Sequence, residues 1–125
     1  MVSRDSFSNW AEISLGAIVQ NVRFVVRHTN AQVMAVVKSN AYGHGTVRVA
    51  RTALRAGATW CGVARLEEAL ELRQAGLDCP ILLLGMTPSG RMHEAVAARI
   101  SITVWNKRQV HAAAVAAACT KEKAR

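Results

Sequence analysis

Residues 34–45 read Met-Ala-Val-Val-Lys-Ser-Asn-Ala-Tyr-Gly-His-Gly, an apolar run that ends in one lysine and breaks into a turn of small and polar residues. Lys38 follows four uncharged residues, Met34 to Val37. The run therefore reads as a buried strand, and an ammonium at its end must be desolvated, paired or covalently used. A lysine kept neutral attacks carbonyl carbons. Tyr42 adds a phenol, a good neutral hydrogen-bond donor, to the same turn. Gly43 and Gly45 supply the permissive backbone angles or close approach that such a turn demands. His44, whose unperturbed pKa is about 6.5, is the competing acid or base. Between two glycines, however, it reads as a residue that hydrogen-bonds the loop.

The elements that must position Lys38 alternate along the chain. Leu15, Ile18, Val22, Val25 and Val26 recur at helical spacing from Ser14 to about His28, with Ser14 as N-cap and Asn30 as the stop. The pattern then predicts a strand over 32–38, a helix over 46–56 ended by Gly57, a strand over 60–64 and a helix over 66–75 ended by Gly76. Ile81-Leu82-Leu83-Leu84, bounded by Pro80 and Gly85, reads as a strand buried on both faces, as parallel sheets require. Its helix begins near Pro88, and a fourth strand over 100–105 leads to an Ala-rich helix over 107–118. Successive strands begin about 20–28 residues apart, which leaves room for one crossover helix each. Repeated β/α units specify a parallel sheet and an α/β fold. Periodicity leaves open whether that sheet is doubly wound or an arc of a barrel. In a β/α barrel the chemistry sits at the carboxyl ends of the strands, which is where Lys38 falls.

The balance of the 125 residues narrows the function classes. Sixteen Lys and Arg against eight Asp and Glu give a net charge of +8, which invites a nucleic-acid reading. Arg23, Arg27, Arg48, Arg51 and Arg55 are nevertheless scattered over helix-like segments, aromatic content is 5%, and no nucleic-acid motif is present. A solvated helix face accounts for them. No stretch approaches the roughly 20 apolar residues of a membrane span. Met1 to Asn9 lack the basic and apolar regions of a signal peptide, so the expected location is the cytoplasm. Cys61, Cys79 and Cys119 have no metal-ligand spacing and read as reduced structural thiols. His28, His93 and His111 read as helix-surface residues.

The segment Val37-Lys38-Ser39-Asn40-Ala41-Tyr42-Gly43-His44-Gly45 closely resembles the pyridoxal phosphate signature of alanine racemases. The resemblance runs from Trp10-Ala11-Glu12-Ile13 through Ala64-Arg65-Leu66-Glu67-Glu68-Ala69 to Pro80-Ile81-Leu82-Leu83-Leu84-Gly85. It implies that Lys38 carries the cofactor as a Schiff base and is the catalytic residue, abstracting the substrate α-proton once freed. It implies that Tyr42 contacts the cofactor phosphate and that Leu84 packs near the cofactor. Val36 joins them from strand alternation, because residues two apart share a face, so it can line the cofactor ring beside Lys38.

For the fold, the resemblance implies the first four strands of an eight-stranded barrel, itself roughly 250 residues long. Residues 1–125 are thus expected to be the N-terminal fragment of a pyridoxal phosphate-binding barrel domain, with a second β-rich domain absent. For function it implies interconversion of L- and D-alanine for peptidoglycan synthesis by a homodimeric parent, with no metal and no nucleic-acid or membrane partner. The fragment alone is expected to be inactive, because the second base and most phosphate and carboxylate contacts come from later strands and a partner subunit. Alternatives are a pyridoxal phosphate carrier or homeostasis protein of the same barrel type, a serine or broad-specificity racemase, and a decarboxylase sharing the barrel.

Overall fold

The structure, a computed structural model, describes residues 9–125. For residues 1–8, the reading of the N-terminus as lacking a leader lies outside the described part. Helix α1 (Leu15–Arg27) starts where Ser14 Oγ accepts the Ala17 N–H at 3.2 Å. It ends at His28, before Asn30, because the His28 ring stacks on Phe24 at 4.1 Å and its Nδ1–H donates to the Phe24 carbonyl at 2.7 Å. This closes the last turn at the expected end of the helix.

The strands β1 (Met34–Val36), β2 (Trp60–Val63), β3 (Ile81–Met86) and β4 (Ser101–Thr103) form one parallel sheet in sequential order. Val36, Gly62, Leu82 and Ser101 lie in one row across it. Between the strands run a one-turn element α2 (Lys38–Tyr42), α3 (Thr46–Ala56), α4 (Leu66–Gln74), a 3-10 turn (Ser89–Arg91) continued by α5 (Met92–Ala97), and finally α6 (Lys107–Thr120). Sequential order settles what periodicity left open. A doubly wound sheet reverses its strand order at a switch point, whereas crossovers of one hand that always step to the next strand lay their helices on one face. The chain is an α/β arc of the kind that begins a β/α barrel.

Burial follows from that arrangement. Val37, Cys61, Val63, Ile81 and Leu83 are buried on the helix side, with Ala50, Ala69, Leu72, Ala95 and Ile100 packed against them. Small alanines let the helices approach the sheet closely, while each large side chain contributes about 1.5–3 kcal/mol by leaving water. On the opposite face Met34 and Leu82 are half-buried, and Val36 and Leu84 remain 37% and 36% exposed. The third strand is therefore covered on one face among the described residues, not on both, because no helix packs on the other side.

Strand limits also differ from those the sequence suggests. β1 stops at Val36 because Val37 adopts φ −118°, ψ 22°, although its N–H still donates to the Gly62 carbonyl at 2.8 Å. β3 runs on to Met86 through an irregularity in which Leu83 pairs with Ile102 and Met86 with Thr103. Leu84 and Gly85 thus bulge between two adjacent partners. At the opposite end of the sheet, the Arg73 guanidinium donates to the carbonyls of Leu77, Cys79, Ala98 and Arg99 at 2.6–3.1 Å, fastening the loops that enter β3 and β4. Cys61 and Cys79 are free thiols whose Sγ atoms lie 3.7 Å apart. Burial, and then the neighbouring Cys79, push the Cys61 thiol up to about 12.

Candidate active site at the end of the first strand

Lys38 is the first residue of α2, two positions beyond β1 and at the carboxyl edge of the sheet. The chain that follows is not an ordinary helix. Ser39, Asn40 and Ala41 have φ/ψ of 52°/52°, 55°/41° and 50°/47°, and Tyr42 continues at φ 56°. This is one turn of left-handed helix, closed by the Gly43 N–H donating to the Ser39 carbonyl at 3.2 Å. For an L-residue with a Cβ, the left-handed helix costs about 1–2 kcal/mol per residue. Such strain persists only where the surroundings over-determine it, and it clusters at functional sites.

Three side chains provide that determination. Glu68, only 7% exposed, accepts the Ser39 N–H on Oε1 at 2.6 Å and the Ala64 and Arg65 N–H groups on Oε2 at 2.8 and 3.0 Å. Burial alone would raise its pKa, but the three N–H donors outweigh that and hold the carboxyl below its ordinary value. Asn40 Oδ1 accepts the Thr46 N–H at 3.1 Å, so it caps α3, whose own N-cap position is Gly45 and has no side chain to do so. His44 turns its Nδ1–H onto the Ala41 carbonyl at 2.9 Å. It hydrogen-bonds the loop, as its place between glycines suggests. Gly43 and Gly45, at φ 88° and 94°, hold angles that favour glycine.

The turn places Lys38 Nζ 5.9 Å from the centre of the Tyr42 ring. Lys38 is half-buried and Tyr42 is 61% exposed. The alternation argument linking Val36 to Lys38 does not carry, because the Val37 angles break the two-residue period before it reaches the lysine. Val36 instead packs with Met34 over Gly62, where a Cβ would lie 3.1 Å from the Met34 sulfur and 3.4 Å from a Val36 methyl. Leu84 lies on the partly open side of β3, opposite the buried Ile81 and Leu83. Beside it, Gly85 passes so close to β2 that a Cβ would sit 2.2 Å from the Ala64 carbonyl oxygen.

Sequence reasoning missed Glu68, Asn40 and the reason for Gly85. Glu68 had a signal: it is the N3 residue of α4 and accepts the N-cap N–H, half of a capping box. Its second role, 29 positions back at Ser39, has none.

A cleft of about 200 Å³ lies at the ends of β2 and β3 and includes Arg65, Glu67, Met86 and Arg91. Arg91 is ion-paired with Glu94 at 2.8 Å and with Glu67, which raises the guanidinium pKa and lowers the Glu94 carboxyl, while the Glu67 carboxyl is lowered first by its own backbone N–H and then by Arg91. Grooves of about 330 and 340 Å³ lie beside β4 and between α5 and α6, away from Lys38. Among the described residues no cluster of His, Cys, Asp and Glu is placed to hold a metal. No helix there is long and apolar enough to cross a membrane.

A parallel β/α arc with a lysine presented on a strained turn at the carboxyl end of its first strand defines a class, the front of a β/α-barrel protein with a strand-end amine. Residues 13–125 match the family described as alanine racemase, N-terminal domain, and the chain belongs to that family. It is 45% identical over 118 residues to alanine racemase 1 of Oceanobacillus iheyensis, covering 93% of this chain and 31% of that protein. Among solved structures, alanine racemase from Streptomyces coelicolor superposes with a TM-score of 0.83 at 41% identity, over 89% of this chain and 30% of that one. A histidine racemase from Leuconostoc mesenteroides superposes at 0.81 and 36% identity, over 90% of this chain and 30% of that one. The chain thus spans under a third of the length of these relatives.

Proposed function

We propose that this chain supplies the cofactor-bearing front of a pyridoxal phosphate-dependent racemase that interconverts L- and D-alanine, a reaction serving peptidoglycan synthesis in the cytoplasm. The observation that carries this reading is the half-buried residue Lys38, at the head of a left-handed turn at the carboxyl end of β1, in a member of the alanine racemase N-terminal family. The residues present suit the cofactor. Lys38 offers an amine, the exposed Tyr42 hydroxyl can donate to a phosphate, and Val36 and Leu84 give apolar flanks on the open side of the sheet. When bound, pyridoxal phosphate supplies an aldehyde for the amine and an electron sink for the pair left behind as the α-proton departs.

Each residue then has a defined task. Lys38 Nζ holds the cofactor and, once free, takes or returns a proton at one face of the α-carbon. Tyr42 fixes the phosphate, while Val36 and Leu84 keep water from the ring edge. His44 is given the task of holding the loop, through its Nδ1–H on the Ala41 carbonyl. Inversion needs a second proton-carrying group on the opposite face. On this reading a homodimeric parent provides it, and the 125 residues alone do not racemise alanine. Likeness to a histidine racemase as well as to alanine racemases favours side-chain selectivity residing outside this segment.

Borohydride reduction in the presence of pyridoxal phosphate, followed by peptide mapping, tests the reading. The pyridoxyl label is expected on Lys38. Label on Lys107 or Lys121 with Lys38 unmodified overturns it, and sustained D-alanine formation by the isolated chain overturns the one-face argument.

A further inference from the structure

Glu68 has no part in the chemistry outlined above, yet its carboxylate is buried and accepts three hydrogen bonds. Among the described residues it makes no ion pair. Its two oxygens instead accept three backbone N–H groups drawn from two separate strand ends: Ser39 after β1, and Ala64 and Arg65 after β2. Holding a bare carboxylate 7% exposed is costly unless its charge is met by donors. All three donors belong to the backbone that sets where Lys38 stands, or to the strand end next to it. The Ser39 bond matters most. Ser39 is the first left-handed residue, and its amide belongs to the peptide whose other half is the Lys38 carbonyl.

We propose that Glu68 is a positioning residue for Lys38, its buried carboxylate clamping the left-handed turn so that the amine is presented at a fixed point on the carboxyl edge of the sheet. The inference rests on the reading of Lys38 as the cofactor lysine. The geometry explains why a carboxylate is needed and an amide would not serve. A carboxylate offers acceptor sites on both oxygens, whereas Gln has one oxygen and an NH₂ that would face an N–H. It also explains the tolerance of strain at Ser39 to Tyr42, because a charge-assisted bond at the head of the turn opposes its relaxation.

The test uses the 125-residue chain, Glu68→Gln and Glu68→Asp. The aspartate keeps the charge at the start of α4 but is one methylene too short to reach Ser39. The first readout is independent of any cofactor: in the unmodified chain, the Ser39 amide proton should exchange slowly and should titrate in acid together with those of Ala64 and Arg65. The second is the labelling of Lys38 relative to Lys107 and Lys121 at a fixed, subsaturating concentration of pyridoxal phosphate with borohydride. Loss of one bond to a charged group should lower that preference about tenfold or more, in both variants.

A Ser39 amide that ignores the shared titration overturns the clamp, and this measurement stands even if a variant fails to fold. Equal Lys38 labelling in a folded Glu68→Asp chain overturns the positioning role. If the unmodified chain shows no preference for Lys38 while the Ser39 amide titrates as expected, the cofactor-lysine reading fails and the clamp survives as a structural device.

Discussion

The close passage of β3 over β2 gives the most quantitative test of this architecture. A methyl group at Gly85 would lie 2.2 Å from the Ala64 carbonyl oxygen, against an ordinary carbon–oxygen contact of about 3.3 Å or more. The methyl is fixed rigidly to one backbone and the oxygen belongs to the other, so relief requires the two strand ends to separate by roughly 1 Å, an overpacking that costs about 1–3 kcal/mol or more. Two glycines calibrate the effect. At Gly62 the methyl would meet the flexible Met34 thioether at 3.1 Å, and at Gly90 it would meet nothing within 4 Å.

Urea unfolding followed by circular dichroism should therefore rank Gly85→Ala as destabilised by about 2–3 kcal/mol, Gly62→Ala by less than about 1.5 kcal/mol, and Gly90→Ala within about 0.5 kcal/mol of the parent. At roughly 3–5 °C per kcal/mol for a domain of this size, Gly85→Ala should melt about 6–15 °C lower. The Ala64 residue that must shift also donates its N–H to Glu68, so the Ser39 amide should exchange faster in the same variant. Equal stability of Gly85→Ala and Gly90→Ala would refute the close approach.

Further outcomes follow from the turn and the core. Asn40→Ala removes the acceptor that caps α3 and a residue type that tolerates left-handed angles, so thermal unfolding should show a loss of about 1–2 kcal/mol; no loss would mean that Gly45 alone suffices to start the helix. Tyr42→Phe should weaken pyridoxal phosphate retention by roughly ten- to a hundredfold with little change in melting temperature, measured by fluorescence titration, and an unchanged dissociation constant would make the tyrosine a packing residue. Cys61 has its thiol pushed up to about 12 from 9.0. The folded state therefore holds that proton more tightly than the unfolded state does. Its contribution is complete below pH 9.0 and is lost as the pH rises toward 12, at up to about 1.4 kcal/mol per pH unit. Cys61→Ala should flatten that limb of the stability curve, and identical alkaline limbs would exclude the effect.

Much of the molecule is legible without coordinates because the relevant forces are local. The apolar run ending at Lys38, the helical spacing from Leu15 to Val26, and Gly57 beyond α3 each act within a turn or a strand. They are enough to state four parallel β/α units, and the motif around Lys38 is enough to indicate the family. That His44 hydrogen-bonds its own loop could be read from its neighbours alone, and its bond to the Ala41 carbonyl agrees with that.

Tertiary structure decided the rest. Periodicity cannot distinguish a barrel arc from a doubly wound sheet, because both are built from identical β/α units and differ only in which strand each crossover joins. It cannot show that Val36 and Leu84 stay partly exposed, since an apolar residue looks the same whether a helix covers it or not. The left-handed path of Ser39 to Tyr42 contradicts the intrinsic preference of Ser39, Ala41 and Tyr42, and only Asn40 is a type that tolerates it. It is held by Glu68, 29 positions away from Ser39, so no local pattern could announce it. Gly85 likewise reads as the end of a strand, and only the Ala64 carbonyl pressed against it from just beyond the neighbouring strand makes the missing side chain a requirement.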